Sequence, residues 1–269
     1  MTLLLVLWLS ATTIVLPKNA ILVKGATPGA SDASTPVPED GAVAEGRYRN
    51  RYFGLAYPIP AGWMDQPAGP PPSDSGAYVL RELALGDGTR VKAHLQITAQ
   101  DLFFAPRSVT RERVAEAYDV EEGSDVVRIA GREFQRLAYK ARHTPLRWRM
   151  LSTEVRCHAL TFTFTGTDAA ALDAAEKAMS GLTLRDSGPR CVRDYARDHL
   201  TARTHPAFPQ RYNTIPVRVI VGKDGRVKHV HLLSAFPEQT AAIVAAMRQW
   251  RFQPGQTDVE TGMVFGLPR

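Results

Sequence analysis

The chain has 269 residues, of which 44% are hydrophobic and 22% charged, and a formal net charge of +6. These are globular proportions, in a chain long enough for two domains. From Arg185 onward there are 13 basic and 7 acidic residues, and before it 20 of each. No basic run is interleaved with stacking aromatics, which excludes the usual nucleic-acid patterns. A basic C-terminal face suits an anionic lipid surface or an acidic partner, or is a solvated face.

Residues 3–16, LLLVLWLSATTIVL, form an uncharged apolar run. It is short for a membrane span of about 20 residues and matches the core of a signal peptide. Residues 1–24 therefore read as a signal peptide or N-terminal anchor, with Ala26 and Ala30 as candidate cleavage positions. The chain is expected to be exported, and to be periplasmic or held at the inner membrane facing the periplasm of a Gram-negative-type envelope. Residues 25–47, rich in Gly, Ala, Ser, Pro and acidic side chains, read as a flexible linker.

A first domain is expected over residues 48–184. A strand through Tyr52, Phe53 and Tyr57 ends in a Pro/Gly turn carrying Trp63, and Pro67, Pro70, Pro71 and Pro72 mark an exposed loop. Residues 78–85 and 91–98 read as a strand pair around Gly86-Asp87-Gly88, and 108–118 as a helix capped by Ser108 or Thr110. Ala130-Gly131-Arg132 turns one hairpin, and 146–153 with 158–164 form another. A helix capped by Thr167 or Asp168 follows, with Leu172, Ala175 and Met179 on its buried face. Mostly antiparallel strands with two helices make this α+β.

Residues 185–213 read as a second linker with a short polar helix near 191–201, before a C-terminal domain over 214–269. Val217, Val219 and Val221 alternate along a strand, and Asp224-Gly225 supplies a tight turn. Val227, His229, His231 and Leu233 share one face of the returning strand. Pro237 and Glu238 open a helix on which Ile243, Met247 and Trp250 fall at i, i+4 and i+7. A strand over 261–265 closes a β-β-α-β unit.

That hairpin, the helix end Ala-Met-Arg-Gln-Trp-Arg-Phe-Gln-Pro and the closing strand with Gly262 and Phe265 resemble the C-terminal domain of the TonB family of energy transducers, over about residues 206–265. The Phe-Gly-Leu…Tyr-Pro…Gly-Trp opening, the Ala-Gly-Arg-Glu-Phe hairpin and the helix ending Ala-Met-Ser-Gly-Leu resemble a PsbP-like domain, over about residues 48–184. Together the resemblances imply a PsbP-like α/β/α sandwich followed by a TonB-like module. They imply a non-enzymatic envelope protein that binds a partner by strand-edge pairing, linked to TonB-type transport. The implied partner is an envelope protein such as an outer-membrane receptor, and a homodimer through strands is open. The edge expected to bind is Val259, Glu260, Thr261, Gly262, Met263, Val264 and Phe265. The apolar run lacks the histidine of a working transducer, and a folded domain intervenes, so a domain borrowed for binding is expected. The alternative is a periplasmic small-molecule or lipid-binding protein, with the ligand in the first domain near Trp63, Trp148 and an arginine face of Arg147 and Arg149.

Chemistry-bearing motifs are sparse. Cys157 and Cys191 allow one disulfide or two unpaired thiols. His229 and His231 lie on one strand face, expected to pack against the helix. Nearby sequence adds only His205 and Asp224, so no metal is assigned. There is no Gly-x-Ser-x-Gly elbow, no His-Glu-x-x-His and no Walker spacing, so no catalytic residue and no cofactor are assigned.

Overall fold

The structure, a computed structural model, describes residues 27–67, 69–86, 91–106, 111–121, 125–208 and 213–266. The apolar run 3–16, Ala26, the turn residues Asp87 and Gly88 and the caps Ser108 and Thr110 lie outside them. The chain is α+β, mostly antiparallel sheet with few helices. Its strands and helices are β1 (Thr27–Ala30), β2 (Gly41–Ala44), β3 (Arg47–Asn50), β4 (Leu55–Pro58), β5 (Trp63–Asp65), β6 (Ala77–Gly86), β7 (Val91–Asp101), α1 (Arg111–Ala117), β8 (Asp119–Val120), β9 (Val126–Ile129), β10 (Arg132–Lys140), β11 (Arg147–Val155), β12 (His158–Gly166), α2 (Ala169–Ala178) and β13 (Thr183–Leu184). After these come β14 (Arg190–Cys191), α3 (Tyr195–His199), β15 (Leu200–Ala202), β16 (Ile215–Val221), β17 (Val227–Ala235), α4 (Pro237–Met247), β18 (Arg251–Phe252) and β19 (Val259–Phe265).

The larger sheet runs β5-β6-β7-β12-β11-β10-β8, with β9 paired to β10. Alternation on β12 sends Leu160, Phe162 and Phe164 to one face, where each is fully buried. Helix α2 covers that face with Leu172 and Ala175, and the Asp168 carboxylate caps it by accepting from the Ala171 N–H at 3.1 Å. Tyr48, Tyr57 and Leu55 of β3 and β4 join the same core. Helix α1 makes its main contact with the edge strand β8, so the unit is more sheet than the expected α/β/α sandwich.

The smaller sheet runs β1-β17-β16-β19-β14. Gly225, at φ +77°, closes the β16–β17 hairpin next to Asp224, a backbone conformation that favours glycine. Ile243, Met247 and Trp250 pack beneath this sheet with Val217, Val219, Val230 and Leu232. All seven residues of β16 are buried, so both faces of this sheet are covered. Leu233, on the face away from α4, belongs to the core of the first unit.

Three sequence expectations are corrected. Residues 25–47 are not a flexible linker over their described part: β1 pairs with β17, and β2 pairs with β3. Their low apolar content misled because the strand partners supply the burial, and pairing needs only backbone groups. Residues 185–213 are likewise no simple linker, since β14, α3 and β15 lie there and Tyr195 is buried in the C-terminal core. His229 and His231 face away from α4, because Val230 and Leu232 are the β17 side chains in the helix-side core.

Gly262 marks the contact between the units. A Cβ there would lie 2.6 Å from the Phe103 Cβ, so the absent side chain lets Phe103 close onto the sheet. Gly262→Ala is expected to destabilise the full chain by about 1–3 kcal/mol through overpacking. In a double-mutant cycle followed by urea unfolding, Phe103→Ala should relieve part of that cost; strict additivity would contradict the contact.

Candidate functional site

The most unusual feature is a buried ionic cluster between the two sheets. β16 carries Arg218 among Ile215, Val217, Val219 and Val221, and its register opposite Gly262 and His231 turns it away from α4. Arg218 Nη1 donates to Asp101 Oδ2 at 2.5 Å, and its Nε donates to Glu260 Oε1 at 3.2 Å. Its Nη2 donates to the Arg156 carbonyl at 3.1 Å. Arg156 Nη2 donates to Glu260 Oε2 at 2.9 Å, and its Nη1 donates to the Tyr52 carbonyl at 2.9 Å. The Arg156 guanidinium stacks 3.7 Å from the Tyr52 ring centroid, and the Tyr52 hydroxyl donates to Glu260 Oε1 at 2.9 Å.

Two guanidiniums face two carboxylates, and these side chains are at most 8% exposed. Burial pushes the Glu260 carboxyl up, but Arg218 and Arg156 outweigh it and hold it below its ordinary value. Burial dominates at Asp101, whose carboxyl is raised in spite of Arg218. Burial and the nearby guanidinium of Arg218 push the His158 imidazole well down, so it is neutral. Its Nδ1–H donates to the Arg156 carbonyl at 2.7 Å, which turns Nε2 toward Arg218 Nη1 at 3.5 Å. Tyr52, Phe53 and Tyr78 enclose the ring edge to face. Closed off and charge-balanced, this arrangement can hold two sheets in one register.

The β11–β12 hairpin presents three of these groups. Its two loop residues, Arg156 and Cys157, lie at φ +49° and +53°. Such a loop favours Asn-Gly, and side chains there carry strain of about 1–3 kcal/mol each. Here one loop residue supplies the ion pair to Glu260 and the other a disulfide. Cys157 bonds Cys191, with Cα atoms 6.0 Å apart, so the thiols are not free. The bond ties the first unit to β14.

The expected binding edge is only partly open. β14 pairs in parallel with Val259 and Glu260, and Glu260 turns inward to the arginines. Thr261 and Phe265 are buried, while Gly262, under Phe103, and Met263 are partly exposed. Val264 is 57% exposed. Beyond Glu260 no strand pairs on that side of β19 among the described residues. Two residues of pairing are marginal on their own: each backbone hydrogen bond nets about 0.5–1.5 kcal/mol, against an ordering cost of about 1–2 kcal/mol per residue.

The N-terminal segment meets β17 through two further pairs. His229 Nδ1 lies 2.6 Å from Asp32 Oδ2, and His231 Nε2 lies 3.0 Å from Glu39 Oε1. Burial pushes His229 down against the pull of Asp32. Burial pushes Asp32 up, but the His229 bond and those from Thr35 and Ser34 hold it below the ordinary carboxylate value. Neither His205 nor Asp224 completes this pair, and among the described residues no group of three or more metal-ligating side chains could hold a metal ion.

The arginines of the expected face lie opposite Trp148 and are already paired with carboxylates. Arg149 faces α2 and pairs with Asp173 and Glu176, and Arg147 pairs with Glu121. Trp148 lies on the opposite sheet face, stacked on Tyr139 and edge-on to Tyr118. A depression of about 440 Å³ beside the β10–β11 loop is lined by polar groups, among them Asp119, Lys140 and His143, and by neither Trp63 nor Trp148.

No family model matches the chain. No curated protein matches it. Among solved structures, one from Bacteroides thetaiotaomicron is 14% identical with a TM-score of 0.34, covering 57% of this chain and 51% of that one. The solution structure of cyanobacterial PsbP (CyanoP) from Synechocystis is 13% identical with a TM-score of 0.36, covering 54% of this chain and 96% of that one. The chain thus spans about half the length of the Bacteroides protein, at 51%. Scores this low carry no argument about function.

Arg156→Lys is expected to destabilise by about 1–3 kcal/mol, because an ammonium cannot serve Tyr52 and Glu260 from one planar fork while stacking. Urea unfolding checks this, and an unchanged midpoint would contradict it. Glu260, held below its ordinary 4.5, stabilises above that value and loses the contribution as pH falls through the folded value. The stability gap between wild type and Glu260→Gln should therefore be widest near about pH 6 and shrink toward about pH 3. A gap independent of pH would contradict an ionised, paired Glu260.

Proposed function

We propose that the chain is a non-enzymatic, exported envelope protein that captures an extended segment of a partner protein along the uncovered end of β19. The observation that carries this reading is a sheet-edge strand covered by β14 only at Val259 and Glu260, with Val264, next to its buried last residue Phe265, 57% exposed. Uncovered backbone groups on an edge strand are a template for a further strand, with main-chain hydrogen bonds giving affinity. The binding stretch is thus narrowed from the seven expected residues to Thr261, Gly262, Met263, Val264 and Phe265. The resemblance of residues 206–265 to TonB-type C-terminal domains supports the same mode. It connects the chain to transport across an envelope, with an outer-membrane receptor as one partner of the right kind. Among the described residues, no helix is long and apolar enough to cross a membrane.

The test uses the full chain as bait in envelope extract. Val264→Pro removes an N–H from the uncovered side of β19. Capture by wild type, at least tenfold loss in Val264→Pro and an unchanged circular dichroism spectrum are expected. Equal capture by both forms, or capture by neither, would contradict the reading.

A further inference from the structure

We propose that the Cys157–Cys191 disulfide is a redox latch. Intact, it holds β14 over the first part of the β19 edge; reduced, it frees β14 and lengthens the edge open to a partner strand. The inference rests on the strand-edge reading and concerns its regulation.

Four observations carry it. Strand β14 is two residues long and is held to β19 by Arg190 N–H donating to the Asp258 carbonyl at 3.0 Å and Val192 N–H donating to the Glu260 carbonyl at 3.0 Å. No residue from Arg185 to Asp194 is fully buried, so between the buried anchors Leu184 and Tyr195 the apolar attachment is the half-buried Val192, which rests against the C-terminal core. The disulfide clamps that stretch near its middle, with Gly188 close against Arg156. On the other side, Cys157 stands in a left-handed hairpin fixed by β11 and β12, so the clamp has a rigid end and a loose end.

Opening follows ordinary thiol–disulfide exchange. A dithiol reductant attacks, as thiolate, the sulfur of Cys191, the more exposed partner. The S–S bond breaks and Cys157 leaves as a thiolate that takes up a proton. The second thiol of the reductant then displaces Cys191 and closes its own disulfide. Two electrons and two protons pass from the dithiol to the protein. Released, β14 uncovers the backbone of Val259 and Glu260, and the free edge extends to the whole of β19.

Amide hydrogen exchange of the full chain, oxidised and after dithiothreitol treatment, reads the latch without any partner. At least tenfold faster exchange at Val192 and Glu260 on reduction, with β7 and β12 amides unchanged, is expected. Unchanged exchange at those positions would overturn the latch, as would equal acceleration everywhere, which marks a staple of the whole fold. Cys191→Ser should behave as the reduced form; if it fails to fold, reduction of folded wild type gives the same reading. In the extract assay, the reduced chain should capture more partner than the oxidised one. Opening without a rise in capture would overturn the strand-edge reading while leaving the redox opening supported.

Discussion

Arg218 is the constraint around which the molecule is arranged. A guanidinium inside a strand of Ile and Val must either meet water or find opposite charge. Both faces of its sheet are covered, so it takes Asp101 from β7 and Glu260 from β19, and Glu260 in turn takes Arg156 from the β11–β12 hairpin. Those contacts place the two sheets at one separation and register. Removing one member leaves a buried charge uncompensated, which costs more than an apolar replacement of the whole set would. Such a cluster contributes specificity of docking more than raw stability.

Much of the fold was legible from local pattern. The i, i+4, i+7 spacing of Ile243, Met247 and Trp250 located α4 and its buried face. Alternation located β11, β12, β16 and β17, Asp224-Gly225 located the β16–β17 turn, and Ala130-Gly131 located the β9–β10 turn. The ionic cluster was not legible, because its partners are far apart: 117 residues separate Arg218 from Asp101, and 104 separate Arg156 from Glu260. Alternation tells which side chains share a face and not what that face meets, so it does not separate a helix-facing His229 and His231 from the observed arrangement. Their carboxylate partners, Asp32 and Glu39, lie in a stretch whose composition suggests a coil. One local signal was present: a lone Arg within IPVRVIV asks for a buried counter-charge.

The same docking decides what the protein offers to others. Phe103 closes on Gly262 and Glu260 turns inward, so the face of β19 is committed to the interior. What it retains is an edge, half shielded by a two-residue strand held through a disulfide. Binding on this account is a property of backbone groups at a sheet margin, and the buried charges position that margin.

The most direct test of the docking is a double-mutant cycle between Asp101→Leu and Arg218→Met, read by urea unfolding of the full chain. If the cluster joins the sheets, each single change is strongly destabilising and the double costs less than the sum, with a coupling of about 2 kcal/mol or more. A coupling near zero would mean that Asp101 and Arg218 do not act together, and that the sheets are held by apolar packing alone.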